Sequence, residues 1–339
     1  MSALSVVYQF NEKYVLYAGV SITSLFENNK DLDDICVYVL GEGIVESSKE
    51  TLQKMASNYG RSIVFLPTDD LLEKFKNLGM LPYRGAYSVY LRLFFSDLVG
   101  DDVKRAVYID ADTVITGSLK GLLDIDLQDK TIGMVLDSVG NNHKISIGMK
   151  ESSDYCNTGM ILFDLDKWRN RKYQEKIIDH VKNVRAEYPT ADQDLLNVVI
   201  EGDVYRLPIE YNFQPAHQVY TVKQYFKNYS TKGYYSEEEI NYGKSHTCIQ
   251  HCFRWLGEFP WHEGNLHPFR EGFDKYLAIS EWKDYKKQKE DKGIVIKIEK
   301  ILYRILPKGA FLVIFKKAHG MFLKRTEKDA RNKKVNQKM

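Results

Sequence analysis

Arg105-Ala-Val-Tyr-Ile-Asp110-Ala-Asp112-Thr-Val114 reads as a strand that ends in two aspartates. Its apolar run, Ala106 to Ile109, lacks the alternation of a half-exposed strand and suits a sheet buried on both faces. Residues two apart on an extended chain share a face, so both carboxylates can reach one hard cation. Close carboxylates repel each other unless a cation or hydrogen-bond donors compensate, and a divalent metal carrying a diphosphate does so. An isolated Asp-x-Asp is also common turn chemistry, so the rest of the chain has to decide.

Short β-branched and apolar runs recur at Leu4 to Phe10, Ile35 to Leu40, Ser62 to Leu66, Thr131 to Leu136 and Gly159 to Phe163. Between the first two, Val15, Val20, Ile22 and Leu25 suit one helical face, and Ser47 to Tyr59 reads as a second helix. This alternation predicts an α/β domain, with parallel pairing as its simplest form and ligands at the carboxyl ends of the strands. With no repeat or low-complexity tract before residue 283, the expected organisation is one catalytic domain over 1–282 and a basic amphipathic tail over 283–339.

The net charge of +2 conceals that tail: residues 283–339 carry 18 Lys/Arg against 6 Asp/Glu, leaving the body near −10 and the tail near +12. A block of this kind meets an anionic partner. In Ile294 to Ile305 the apolar residues at 294, 298, 301, 302 and 305 form one helical face, and Phe311 to Phe315 continues it among lysines after Pro307. That pattern predicts helices lying on an anionic membrane surface, with two helices packed on the core as the alternative. The acidic body and the lack of a recognisable module argue against nucleic acid. Four scattered cysteines, no signal-peptide pattern and no run of eighteen apolar residues lead to the expectation of a reducing, cytoplasmic setting, peripheral at the inner face of the membrane.

Four motifs in order move the Asp-x-Asp from turn to site. Tyr90-Leu91-Arg92, Asp110-Ala111-Asp112, Tyr155-Cys-Asn157-Thr-Gly159 and Ala191-Asp192-Gln193-Asp194-Leu-Leu-Asn197 together resemble the retaining glycosyltransferases of family 8, which include bacterial lipopolysaccharide galactosyl- and glucosyltransferases and glycogenin. The resemblance runs from about residue 4 to 262. It implies a GT-A-type mixed, mainly parallel sheet flanked by helices, with amphipathic C-terminal helices. It further implies Mn²⁺ or Mg²⁺, a UDP-sugar donor (UDP-glucose or UDP-galactose) and a glycan or glycolipid acceptor. Asp110, Asp112 and His251 would hold the metal, with Ala111 between the aspartates. Arg92 would pair with Asp110 and the donor phosphate, a task suited to the guanidinium fork. Asn157 and Asp192 would meet sugar hydroxyls, Asp137 would lie near the acceptor, and Asn11 and Tyr14 would contact uridine. Gln193 matches the residue closest to the anomeric carbon. An amide is a poor nucleophile, so its carbonyl oxygen would stabilise positive charge there, with Asp194 as the competing candidate.

The closing segment departs from the family's His-x-x-Gly-x-x-Lys-Pro-Trp. Here it reads His251-Cys-Phe-Arg254-Trp-Leu-Gly257-Glu-Phe259-Pro260-Trp261, longer by two residues and with Phe259 where the family has lysine. Arg254 or, failing that, Lys244 would have to supply the missing charge. Asn11 also stands where the family has aspartate. These departures keep a non-catalytic UDP-sugar-binding protein in play, and the Asp pair alone would also suit a carboxylate-metal phosphohydrolase. A zinc reading of His246, Cys248, His251 and Cys252 fails on spacing.

Overall fold

The computed structural model describes residues 3–83, 85–184, 188–289 and 293–316. Nine strands form two sheets: β1 (Ala3–Asn11), β2 (Asp34–Glu42), β3 (Ser62–Leu66), β4 (Arg105–Asp110), β5 (Thr113–Ile115), β6 (Ile132–Leu136), β7 (Cys156–Asp164), β8 (Val204–Arg206) and β9 (Ile249–His251). Seven pair in the order β3-β2-β1-β4-β7-β6-β8, and β5 pairs with β9. In the large sheet β7 alone, among the described residues, runs against the others, antiparallel to both β4 and β6. Parallel pairing, the simplest form, gives way there, and the sheet is mixed and mainly parallel as expected. All of β7 except Asp164 is buried, so it reads like a parallel core strand although its direction is reversed.

Helices Val15–Asn28 and Glu46–Asn58 follow β1 and β2 as expected, within a residue or so. The first buries Val15, Ala18, Ile22 and Leu25 along one side, and its contact with β5 includes Ser21 Oγ at 2.9 Å from Thr113 Oγ1. β4 pairs in parallel with β1, with Gln9 opposite Asp110, so both strands end at one edge. β6 runs the same way, which brings Asp137 to that edge as well. On β7 the register slips between Met134, opposite Ile161, and Val135, opposite Asn157. This irregularity carries Asn157 to Gly159 past the end of β4, where Ile109 pairs with Met160.

The pairing of two short strands escaped the sequence reading. Thr113–Ile115 was hidden behind Asp112, read as the end of its strand. Its partner is Ile249–His251, a strand-like run with nothing local to say what it pairs with. Their three-residue ladder sets Thr113 opposite His251.

Helix Ile294–Ile305 is followed by helical residues 308–316. The tail packs in part on the closing segment, as the packed alternative expected. Tyr303 and Phe311 are buried against Leu256, whereas Ile294, Ile298, Ile301 and Ile305 are 49–70% exposed. Among the described residues no helix is long and apolar enough to cross a membrane.

Candidate active site

Asp110, Asp112 and His251 converge at the carboxyl edge of the parallel strands, each offering one ligand atom, all within 4.8 Å of one another. The Asp pair comes from the end of β4, and the β5–β9 ladder delivers the histidine across 139 residues of chain. A further backbone bond from Cys252 N–H to the Asp112 carbonyl, 2.7 Å, ties the two segments. His251 Nδ1 lies 2.9 Å from Asn212 Oδ1, so it donates there and leaves Nε2 facing the carboxylates. Nε2 is 3.5 Å from Asp112 Oδ1 and 3.7 Å from Asp110 Oδ2. Burial works against the imidazolium, but the neighbouring Asp112 and Asp110 outweigh it and hold the His251 pKa above its ordinary value. Burial likewise opposes the Asp112 carboxylate, and the hydrogen bond and charge of His251 reverse that effect, leaving its pKa low. Two carboxylate oxygens and an oriented imidazole nitrogen fit a divalent cation such as Mn²⁺. Cys248 and Cys252 turn instead to the carbonyls of His246 and Gln250.

Gly159 makes room for this arrangement. A Cβ built on it would stand 2.5 Å from His251 Nδ1 and 2.9 Å from Asn157 Oδ1. The family-like Asn-x-Gly is therefore a close-approach site for the imidazole.

Arg92 is buried on the 3₁₀ turn Ser88–Leu93. Its Nη1 meets Asp110 Oδ1 at 2.9 Å, and its Nε lies 3.2 Å from Asp192 Oδ2. The latter is an ion pair without an aligned hydrogen bond. The guanidinium stacks on Tyr108, 4.4 Å from the ring centre, and Tyr108 donates its hydroxyl to Asp110 Oδ1 at 2.7 Å. Burial raises Asp192 to a pKa of about 6 against the opposing charge of Arg92, with Asp110 adding to the rise. Asp192 opens helix Asp192–Val199, but that helix has no side-chain cap. Ala191, just before, holds φ +46° and ψ −111°, a strained backbone for a residue with a Cβ, at the point where Asp192 and Gln193 turn into the site.

Gln193 Oε1 accepts from Asn157 Nδ2 and Thr158 N–H, both at 3.2 Å. Its Nε2 donates to Asp137 Oδ2 at 3.2 Å and to the Tyr155 hydroxyl at 3.1 Å. Asn157 donates in turn to Asp137 Oδ2 at 3.1 Å and accepts from Gly159 N–H and Asn212 Nδ2. Asn157 thus has protein partners of its own and links Gln193, Asp137 and, through Asn212, His251. Asp194 is fully buried. It accepts from Tyr155 at 2.5 Å, the Thr190 N–H at 2.9 Å and His143 at 2.8 Å. Burial would raise its pKa, but these donors hold it below the usual range. That network sets Asp194 behind Gln193 as a support.

Asn11 lies at the end of β1, its Oδ1 accepting from the Lys13 N–H at 3.1 Å. Tyr14 packs edge-on to Tyr17 and Trp261, and Phe259 stacks on Trp261 at 4.4 Å. The first and last segments of the family-like pattern therefore meet in one aromatic cluster. Arg254 lies over Phe259, 5.1 Å from its ring centre, and lines a cavity shared with His251. Lys244 instead donates to the Gln218 carbonyl at 2.9 Å. Gly257 has φ +71° and follows Leu256 at φ +50° in a two-residue turn. Trp255 and Glu258 close that turn with paired backbone bonds of 2.8 and 3.0 Å. Asn212 was missed on sequence grounds. It stands alone between Tyr211 and Phe213, with no spacing that marks it as a partner of His251.

The chain matches the family model described as Glycosyl transferase family 8 over residues 5–248, a match that ends just before His251. It is 28% identical over 288 residues to a lipopolysaccharide 1,2-glucosyltransferase of Escherichia coli K12, covering 83% of this chain and 79% of that one. It is 24% identical over 287 residues to a lipopolysaccharide 1,3-galactosyltransferase of Salmonella typhimurium, covering 82% and 79%. In fold it resembles the galactosyltransferase LgtC solved with donor and acceptor sugar analogs, with TM-score 0.65, 23% identity and coverage of 82% and 96%.

Proposed function

The chain belongs to glycosyl transferase family 8, and on that premise we propose that it moves glucose or galactose from a UDP-sugar to a glycan or glycolipid, with retention and with Mn²⁺ or Mg²⁺. The observation that carries this reading is the Asp110–Asp112–His251 cluster, its ligand atoms within 4.8 Å at the carboxyl edge of the sheet. A divalent cation held there would supply positive charge against the donor diphosphate, in the ground state and as UDP leaves. Arg92 anchors Asp110 and Asp192 and keeps its own charge beside the same edge, because those carboxylates outweigh its burial. Asp192 would orient the sugar, with Asn157 holding Gln193 and Asp137 beside it, and Asn11 and Tyr14 would contact uridine.

Gln193 is the residue we assign to the anomeric centre. Its amide is held at both ends by Asn157, Thr158, Asp137 and Tyr155, so its dipole is fixed before substrate arrives. Asp137 lies within reach of an acceptor hydroxyl, and attack from the face that UDP leaves keeps the configuration. Incubation with Mn²⁺ and a panel of nucleotide sugars tests this. Slow release of UDP from UDP-glucose or UDP-galactose is expected. Release of orthophosphate would instead mark a phosphohydrolase, and UDP binding without turnover a binding protein.

The displaced lysine charge gives a kinetic prediction. Arg254→Ala should raise the donor KM and lower kcat, together about tenfold in kcat/KM, roughly 1.4 kcal/mol for one lost phosphate contact. Phe259→Lys should restore part of that loss, because Arg254 lies over the Phe259 ring. Steady-state kinetics showing Arg254→Ala at parental kcat/KM would remove it from this role.

We further propose that the exposed Ile294, Ile298, Ile301 and Ile305 face, with the basic tail, holds the protein at an anionic cytoplasmic membrane surface. Each basic residue near such a surface contributes about 1 kcal/mol. Changing these four isoleucines to serine should weaken co-sedimentation with vesicles containing anionic lipid while donor hydrolysis persists. The parent's binding should weaken as salt rises. Equal sedimentation of variant and parent would remove the apolar face from membrane attachment.

A further inference from the structure

Beside His251 and Arg254 opens a cavity of about 450 Å³. Its polar side carries Asp137, Asn157 and Gln214. Gln214 donates to Asp137 Oδ1 at 3.4 Å, while Asn157 takes Oδ2, so the polar side belongs to the network around Gln193. Much of the remaining lining is aromatic, with Tyr220, Tyr229, Phe311 and Phe315. Two of these, Phe311 and Phe315, come from the tail.

The tail is fastened to the closing segment at three points. Leu256, at the tip of its two-residue turn, packs with Tyr303 and Phe311. A Cβ on Gly257 would collide with Ile296. Glu258, almost fully buried, takes the Lys300 ammonium at 2.7 Å. The segment that is two residues longer than the family pattern is thus the platform on which the tail is seated, and Arg254 stands at its root.

Resting on the transferase reading above, we propose that helix 308–316 is the outer wall of the acceptor subsite and that Phe315 is a specificity-determining residue that stacks on one face of an acceptor pyranose. The chemistry of the lining selects a sugar over a lipid chain. Flat rings, several carrying hydroxyls, match the apolar C–H face of a pyranose and the hydroxyls at its edge. Hydrocarbon would strip the remaining water from the partly buried Asp137 carboxylate and offer it no donor in return. A pyranose seated against the rings turns an edge toward Asp137, Asn157 and Gln214, next to the residues assigned to the donor. A membrane tail that also forms the acceptor wall would place the pocket at the bilayer surface.

Phe315 is only half-buried, so its replacement leaves the tail seated through Leu256, Tyr303 and Lys300. The test uses the full chain with Mg²⁺ and UDP and reads binding of methyl α- and β-hexopyranosides by saturation-transfer NMR. Phe315→Ala should weaken hexoside binding about fivefold or more while UDP affinity is unchanged, and Phe315→Tyr should keep it, as expected for one stacking ring. Hexoside affinity equal in Phe315→Ala and the parent would overturn the proposal. So would a cavity that takes octanol and no hexoside. UDP binding is read in the same samples, so its absence from the parent counts against the donor assignment, while the hexoside arm alone decides the acceptor wall.

Discussion

Asp112→Ala is expected to lower metal-dependent release of UDP by two orders of magnitude or more while the chain remains folded. Even the groups that merely orient metal ligands are worth about 10- to 100-fold, and Asp112 is assigned as a ligand itself. Its carboxylate is also the nearer of the two to His251 Nε2, 3.5 Å against 3.7 Å for Asp110, so its loss opens the cluster on the side of the imidazole. The structural cost is small. Its side chain is one-fifth exposed, and the bond that joins its segment to Cys252 runs from the backbone carbonyl. Asp110→Ala should be equally inactive but less stable, because it strips a partner from the buried Arg92 guanidinium. Circular dichroism establishes the fold and a UDP-release assay the rate. A folded Asp112→Ala protein that hydrolyses UDP-glucose or UDP-galactose at the parental rate would contradict the metal-site assignment.

The second large effect is expected at a residue with no side chain. Gly159→Ala places a methyl 2.5 Å from His251 Nδ1 and nearer still to Cε1. The imidazole is buried and held by Asn212 at 2.9 Å, so the clash has to break that bond, displace His251 from the carboxylates or bend β7. Gly159 is not among the glycines of positive φ, which leaves steric crowding of the histidine as the mechanism. Mn²⁺ affinity should fall by about 10- to 100-fold, as it does when the partner that orients a ligand is removed. A double-mutant cycle isolates the cause. In a His251→Ala background, Gly159→Ala should cost little further affinity, because the ring it strikes is gone. If the two losses add, the methyl is damaging the strand and the close-approach account fails.

The carboxylate pair was legible because strand periodicity alone puts residues 110 and 112 on one face. Arg92, Asp192 and Gln193 were legible only as members of an ordered set of motifs, and the structure does bring them together. Their contacts were not legible, since the buried ion pairs of Arg92 and the amide bridge of Asn157 span 18 to 100 residues. The direction of β7 was hidden because a core strand looks alike either way round. Asn212 gave no local signal, although it fixes the imidazole.

The tail shows how far amphipathic spacing reaches. Periodicity found the apolar face of Ile294 to Ile305, and the residues at 294, 298, 301 and 305 are the exposed ones. It did not reveal that the same helix seats Tyr303, Ile296 and Lys300 on the closing segment. That docking depends on Leu256 at φ +50°, in a turn that sequence preferences would fill with asparagine or glycine. A deletion after Trp282 therefore does not cleanly separate membrane attachment from catalysis, because it removes Phe311 and Phe315 from the cavity beside His251.

The central claim is that Asp110, Asp112 and His251 hold a divalent cation against the diphosphate of the donor. Calorimetric titration of UDP into the protein, once with Mn²⁺ and once with EDTA, measures it most directly. The account predicts saturable UDP binding with Mn²⁺ that EDTA weakens by about 100-fold or more; UDP binding of equal strength in EDTA would contradict it.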